Sequence, residues 1–286
     1  MRIDKWLDTP INSFSSIQKL IKKYPQDDQI NDLFTNLSTS VLEHLDSTNR
    51  MPLTSKVNGK EYFAFRNDIR HSRSVNKNLF IENDRVQHFL QAAKELDITS
   101  LNSEEVTKAC YTIATGFACV VDLINPGDRQ TPGCLFEYLT THLLTRELST
   151  DASERVRVKI GDDTVSLTMD LVLNLVGGPK YHVAIKTSTR ERASEFWAQQ
   201  RILDEAFKGE YIGYFFGMAE TKLNHFNGEV VEICVPDQWR AYQYYLSTIK
   251  TIYYLDPPKA YLDLNNKSGG VSVKAFGDFF WESDGH

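Results

Sequence analysis

Residues 164–192 read TVSLTMDLVLNLVGGPKYHVAIKTSTRER, and the organisation of the chain follows from them. Val165, Leu167, Met169, Leu171, Leu173 and Leu175 alternate with Ser166, Thr168, Asp170, Val172 and Asn174. A period of two gives a β-strand one apolar face, and Asp170 stands on the other. Gly177-Gly178-Pro179 marks a hairpin loop. The next strand, over 180–188, places Val183 and Ile185 on one face and Ala184 and Lys186 on the other. Partners across a hairpin have residue numbers of constant sum. A three-residue loop centred on Gly178 sets that sum at 356 and makes Asp170 and Lys186 direct neighbours on one face. A two-residue loop sets it at 355 and sends them to opposite faces. On this spacing alone the pair is either an ordinary cross-strand ion pair or part of a site.

Outward from the hairpin, the pattern predicts a helix over 133–148 and strands over 155–160, 164–176 and 180–188. A helix over 193–208 follows, opened by a polar cap such as Thr189, then strands over 211–218 and 230–235. A last helix is expected over 237–255. Its tyrosines Tyr242, Tyr244, Tyr245, Tyr253 and Tyr254 read as core or subunit interface rather than a base-stacking platform. Helix, three-strand meander, helix and strands in this order give an α/β domain with a mixed sheet. Before it, Phe14, Ile17, Leu20 and Ile21, and then Leu33, Leu37, Val41 and Leu45, recur at helical spacing, and another helix is expected around 86–96. The expected division is a mainly helical region over 1–104 and an α/β domain over 105–286. Arg66, Arg70, His71 and Arg73 lie in a polar stretch of the first region, read as a solvated loop in preference to a phosphate-contact surface.

At 286 residues and 32.8 kDa, with 41% hydrophobic residues, the chain can bury a core of about two domains. A net charge of −6 excludes a uniformly basic nucleic-acid binder. Any such site must be local, and 180–208 carries six basic against four acidic side chains. No apolar run has the length of a membrane span, and the N-terminus lacks the apolar core of a signal peptide, so a cytoplasmic protein without a membrane partner is expected. Cys110, Cys119, Cys134 and Cys234 are widely spaced, with no CxxC pair, and read as buried thiols.

Several polar residues fall where apolar ones would pack. On the helix over 193–208 a stripe through Ile202 and Ala206 continues backwards through Gln199 and Glu195. Buried polar groups need partners, and Asp170 and Lys186 are candidates. Glu137 sits at the edge of the apolar arc formed by Leu135, Phe136, Leu139, Leu143 and Leu144. Two carboxylates and a lysine suit metal-assisted phosphodiester hydrolysis. Asp170 and Glu137 would hold Mg²⁺, which prefers oxygen ligands and keeps several waters. Lys186 would orient the attacking water and offset charge in the transition state. His182 has no serine or cysteine partner and reads as structural. After the lysine come Arg190, Glu191 and Arg192. Paired arginine donors match guanine O6 and N7, and a glutamate accepts from cytosine N4. The other reading of this triplet is a solvated charge cluster at a capped helix start.

These residues resemble the PD-(D/E)XK nuclease superfamily, and within it the type II restriction endonucleases that read CCGG or CCNGG cores. The likeness runs over about 130–236 and rests on Gly133-x-x-Phe136-Glu137, Asp170, Lys186 and Lys186-x-x-x-Arg190-Glu191-Arg192, leading into a helix with Trp197 and Gln199. It implies a restriction-endonuclease-like α/β core, Asp170 and Glu137 as metal ligands, Lys186 as the catalytic lysine, and Arg190, Glu191 and Arg192 on G·C pairs. It further implies double-stranded DNA as substrate, Mg²⁺ as cofactor and a homodimer on a palindromic site. Two positions depart from the pattern. Ala184 stands where most members carry an acid, and Gln199 stands where the CCGG group moves it, with Glu195 one turn earlier as a possible substitute. A structure-specific nuclease of the same fold, and a DNA-binding protein that does not cleave, stay open beside this reading.

Overall fold

The computed structural model describes residues 8–189, 193–224 and 228–282. They form two compact units. One runs to Leu143 and includes Thr221–Ile233; the other is Leu144–Glu220 with the described residues from Cys234 onward. The sequence texture changes near residue 104, whereas the compact units divide at Leu143 and exchange a segment further along.

In the first unit, α1 (Asp8–Ile21) and α2 (Asp28–Asp46) bury Ile17, Ile21, Phe34, Leu37, Val41 and Leu45 as their spacing predicts. The side chain of Asp27 accepts from Gln29 N–H and caps α2. β1 (Asn49–Ser55), β2 (Tyr62–Arg66) and β3 (Val75–Asn76) follow, then α3 (Asn83–Lys94), α4 (Ser103–Ile124) and α5 (Thr131–Glu147), whose last turn, from Leu144, belongs to the second unit. α4 starts in a reciprocal capping box between Asn102 and Glu105. It is long and apolar enough to cross a membrane by length and composition, but 83% of its apolar window is buried inside the protein. The expectation of a mainly helical region misses a sheet of order β3-β2-β1-β9-β8, completed by the hairpin of β8 (Thr221–Asn224) and β9 (Glu229–Glu232). β2 is short and buried at four of its five residues, so it carries no alternation for a period-of-two reading to detect. Arg73 is not simply solvated. Its guanidinium meets both carboxylate oxygens of Asp122 at 2.8 and 2.9 Å.

The second unit is built on a mixed sheet of order β11-β10-β7-β6-β5-β4, as expected. β4 (Ala152–Ile160), β5 (Asp163–Asn174) and β6 (Lys180–Lys186) form the antiparallel meander. After α6 (Ala193–Phe207), β7 (Tyr211–Ala219) returns parallel to β6, the crossover that a helix between strands provides. α7 (Pro236–Tyr245), β10 (Ile249–Asp256), α8 (Lys259–Leu262), β11 (Ser272–Ala275) and α9 (Phe279–Glu282) complete the described chain. The expected last helix is therefore a ten-residue helix followed by a strand. β10 is buried at seven of eight positions, including Tyr253 and Tyr254, and such a run has the same texture in a buried strand as in a buried helix. Tyr244 and Tyr245 lie on α7 and are exposed. Behind the sheet, Phe196, Trp197, Phe215, Trp239, Ile252, Tyr254 and Tyr261 form the core. Burying each such side chain contributes about 1.5–3 kcal/mol.

Candidate active site

The β5–β6 hairpin turns through Leu175–Pro179 with Gly177 at φ +71°, a left-handed conformation that costs glycine little. Its register pairs Leu171 with Val183, Val172 with His182, Leu173 with Tyr181 and Asn174 with Lys180. The constant sum is thus 354 rather than 356. The loop is longer than expected, and Asp170 falls opposite Ala184, one diagonal step from Lys186. Because the slip is two residues, both side chains keep the same face. The diagonal is within reach of a lysine. Lys186 Nζ lies 2.8 Å from Asp170 Oδ1 and 2.7 Å from Oδ2. Asp170 Oδ2 also accepts the Ile185 N–H at 2.9 Å, so the carboxylate occupies a place in the ladder where β5 and β6 separate. The Asp170 and Lys186 side chains are 23% and 21% exposed, which leaves the pair partly open to solvent.

α6 lies across the same face of β6, rotated from the expected orientation. The stripe through Glu195, Gln199, Ile202 and Ala206 is not the packed one: Ala193, Phe196, Trp197, Gln200 and Leu203 are buried, while Glu195 and Ile202 are exposed. Gln200, 1% exposed, is the polar residue that packs on the sheet. Its Oε1 bonds His182 Nδ1 at 3.0 Å, and its Nε2 donates to Asp204 at 2.8 Å and to Tyr211 O at 2.9 Å. Gly213 makes room for it, since a Cβ there would stand 2.7 Å from Gln200 Oε1. Gln199 is half-buried and donates to Thr168 O at 3.3 Å, two residues from Asp170 on β5. His182 is fully buried against Phe196, as its structural reading expects. Burial pushes its pKa below the ordinary imidazole value against the opposing pull of Gln200 and Gln199, so the ring stays neutral.

Of the residues expected at the site, the fold brings Asp170 and Lys186 into contact and anchors Gln199 to the strand of Asp170. Glu195 is on α6 but exposed, and Glu137 is half-buried on α5 in the other compact unit. Arg190, Glu191 and Arg192 lie outside the described residues. Among the described residues no group of three or more His, Cys, Asp or Glu side chains is gathered to hold a metal. The donors present still fit Mg²⁺. Asp170 offers two hard, partly exposed oxygens, and Mg²⁺ is ordinarily held by one or two carboxylates with water and phosphate oxygens completing its shell. Ala184 supplies no donor and Gln199 only a neutral amide. Cys110 and Cys119 are buried thiols, with Cys119 pushed up to about 12 by burial, while Cys134 and Cys234 are half-buried.

Sequence spacing missed a second polar centre. Beyond Lys186 the β6–β7 ladder continues through Ala219 N–H to Thr187 O at 3.2 Å. The next residue of β7's chain, Glu220, is 0% exposed and accepts from Ser188, Thr189 and Tyr254. Its one visible signal was Gly217 inside a strand, which marks a close approach. A Cβ at Gly217 would overlap the ring of Tyr254, its partner across β7 and β10.

Compared with known proteins, the chain matches no protein-family profile and no curated protein sequence. Among solved structures it is similar to the crystal structure of the type IIP restriction endonuclease Kpn2I, at 27% identity and a TM-score of 0.79 over 96% of both chains. A second similar structure is the restriction endonuclease PspGI in complex with substrate DNA, at 15% identity and a TM-score of 0.41, covering 70% of this chain and 90% of that one. The chain has the restriction-endonuclease fold.

Proposed function

We propose that this chain is a Mg²⁺-dependent type II restriction endonuclease that cleaves double-stranded DNA at a palindromic site with a CCGG or CCNGG core, acting as a homodimer. The observation that carries the reading is the contact of Lys186 with Asp170 at an open strand end, in a fold shared end to end with Kpn2I, a type IIP restriction endonuclease.

Lys186 is the catalytic lysine. Its ammonium is held on the Asp170 carboxylate before DNA enters, so it is aimed without a search through rotamers. A phosphate at this pair meets the Lys186 ammonium, which would offset the negative charge that builds on the phosphoryl oxygens as water attacks. Asp170, fixed by the Ile185 N–H, and Glu137 are the residues that would hold Mg²⁺, with Gln199 or Glu195 as an accessory. Bound there, the metal would supply Lewis-acid polarisation of the phosphate and a lowered pKa for a bound water. Base readout belongs to Arg190, Glu191 and Arg192, four to six residues beyond the lysine. Two copies of such a site, related by a two-fold axis, match the symmetry of a palindrome.

Incubation of plasmid DNA with the protein and Mg²⁺, with sequencing of the ends, tests the reading. Discrete fragments that share a short palindrome support it. Ends governed by branches or damage favour a structure-specific nuclease, and binding without cleavage in any divalent metal favours a non-enzymatic role. Lys186→Ala and Asp170→Ala are expected to bind the cognate site and leave it uncut; cleavage at the wild-type rate by either would overturn the site assignment.

A further inference from the structure

Glu220 is a fully buried carboxylate that the hydrolytic chemistry above does not use. Its Oε2 accepts from Ser188 Oγ at 2.6 Å, and its Oε1 accepts from Thr189 N–H at 2.7 Å, Thr189 Oγ1 at 2.6 Å and Tyr254 Oη at 2.7 Å. Four donors thus meet the two oxygens of a side chain that is 0% exposed, three of them on Oε1. Burial, and the neighbouring Glu220, push the Tyr254 phenol well above its ordinary pKa, so it stays a donor. Gly217 opens the space that lets this ring lie flat on the sheet, and Tyr261, itself buried and stacked on Trp239 at 3.8 Å, closes the far side.

What Glu220 grips is specific. Ser188 and Thr189 are two of the three residues between Lys186 and Arg190. Where the described chain resumes, Ala193 N–H donates to Thr189 O at 3.1 Å, so α6 starts from the same clamped residue. Three of the four hydrogen bonds to Glu220 come from these two residues, and the fourth comes from Tyr254 on β10. A buried acid placed only for packing would cost more than an apolar residue of its size.

We propose that Glu220 is a positioning residue that fixes the Ser188-Thr189 link, and so couples the register of the cleaving lysine to that of the base-reading triplet. The proposal rests on the nuclease reading above. Loss of the clamp leaves Lys186 on Asp170 but releases Ser188 and Thr189 from Glu220. Discrimination between sites is therefore affected more than cleavage itself.

The test uses the full chain and three substitutions, Glu220→Gln, Thr189→Val and Thr189→Ser. Thr189→Val removes the Oγ1 donor while keeping shape and backbone N–H; Thr189→Ser restores the hydroxyl. Specificity is read as the ratio of kcat/KM on the cognate site to kcat/KM on sites with one G·C pair changed, beside a thermal melt of each protein. The ratio is expected to fall about tenfold or more in Glu220→Gln and Thr189→Val and to recover in Thr189→Ser. A lower Tm with an unchanged ratio marks the clamp as structural only and overturns the proposal. If Glu220→Gln does not fold, the Thr189 pair decides the matter alone. No cleavage by the wild type overturns the nuclease reading and this proposal with it, whereas specific wild-type cleavage with unaltered ratios overturns this proposal alone.

Discussion

Gln199 and Gln200 are adjacent, chemically identical and differently placed, which makes Gln200→Leu against Gln199→Leu a direct measurement of which face of α6 packs. Leucine keeps most of the glutamine volume and removes its hydrogen bonds. At Gln200, 1% exposed, the change orphans two buried groups, His182 Nδ1 and the Tyr211 carbonyl, and removes a donor to Asp204. At about 1–3 kcal/mol for each unsatisfied buried group, the expected cost is about 2–6 kcal/mol. For a chain of this size, that lowers Tm by about 3–10 °C. Gln199 is half-buried and makes one bond of 3.3 Å to Thr168 O, a carbonyl that water can serve. Its replacement is expected to cost about 0.5 kcal/mol or less. Circular dichroism follows both melts, and tryptophan fluorescence weights the second unit, which holds Trp197, Trp239 and Trp281 of the chain's four tryptophans. Equal losses, or a larger loss at Gln199, would refute the orientation of α6 and return the packed face to the stripe of Glu195, Gln199, Ile202 and Ala206.

Two further outcomes follow from the same unit. Gly217→Ala drives a methyl group into the Tyr254 ring, an overpacking worth about 1–3 kcal/mol, and a thermal melt indistinguishable from wild type would refute that contact. For His182, burial lowers the folded pKa. The unfolded chain therefore binds a proton below about pH 6.5 before the folded one does, and stability falls as pH drops through that value and is unaffected above it. Urea unfolding from about pH 7.5 to 5.5 is expected to show a shallower slope in His182→Asn than in wild type; equal slopes would show that the imidazole titrates alike in both states.

The parts of this fold that are legible in the sequence are those where one local period decides the outcome. The meander, the crossover helix and the mixed sheet follow from alternation in 164–176 and 180–188 with glycine and proline between them. Elements buried on both faces are not legible. β10 and β2 carry no alternation, and β10 continues the aromatic run of α7, so a period count cannot tell strand from helix. The phase of α6 is misread because its packed face includes a glutamine, which a count of apolar positions passes over. The Asp170–Lys186 contact is legible for a reason other than the expected register. Face, which depends only on parity, survives a slip of two, whereas opposition does not. Glu220 leaves only the indirect signal of Gly217, since its partners lie 31 to 34 residues away in sequence and no motif spacing connects them.

The exchange of Thr221–Ile233 into the first compact unit bears on how the chain is made. β1 lacks its parallel neighbour until β9 emerges, and β9 follows the whole of β4 to β7 in the chain. Domains ordinarily complete themselves from the N-terminus during synthesis. Here the first unit must wait on the ribosome with an open strand edge while most of the second unit's sheet is being translated. An unpaired edge invites pairing with other chains, so a nascent chain stalled before residue 229, or a fragment ending near Leu143, carries a sticky, unfinished sheet. A cut at Leu143 therefore separates β1 from β9, and the first unit completes its sheet only with the rest of the chain attached.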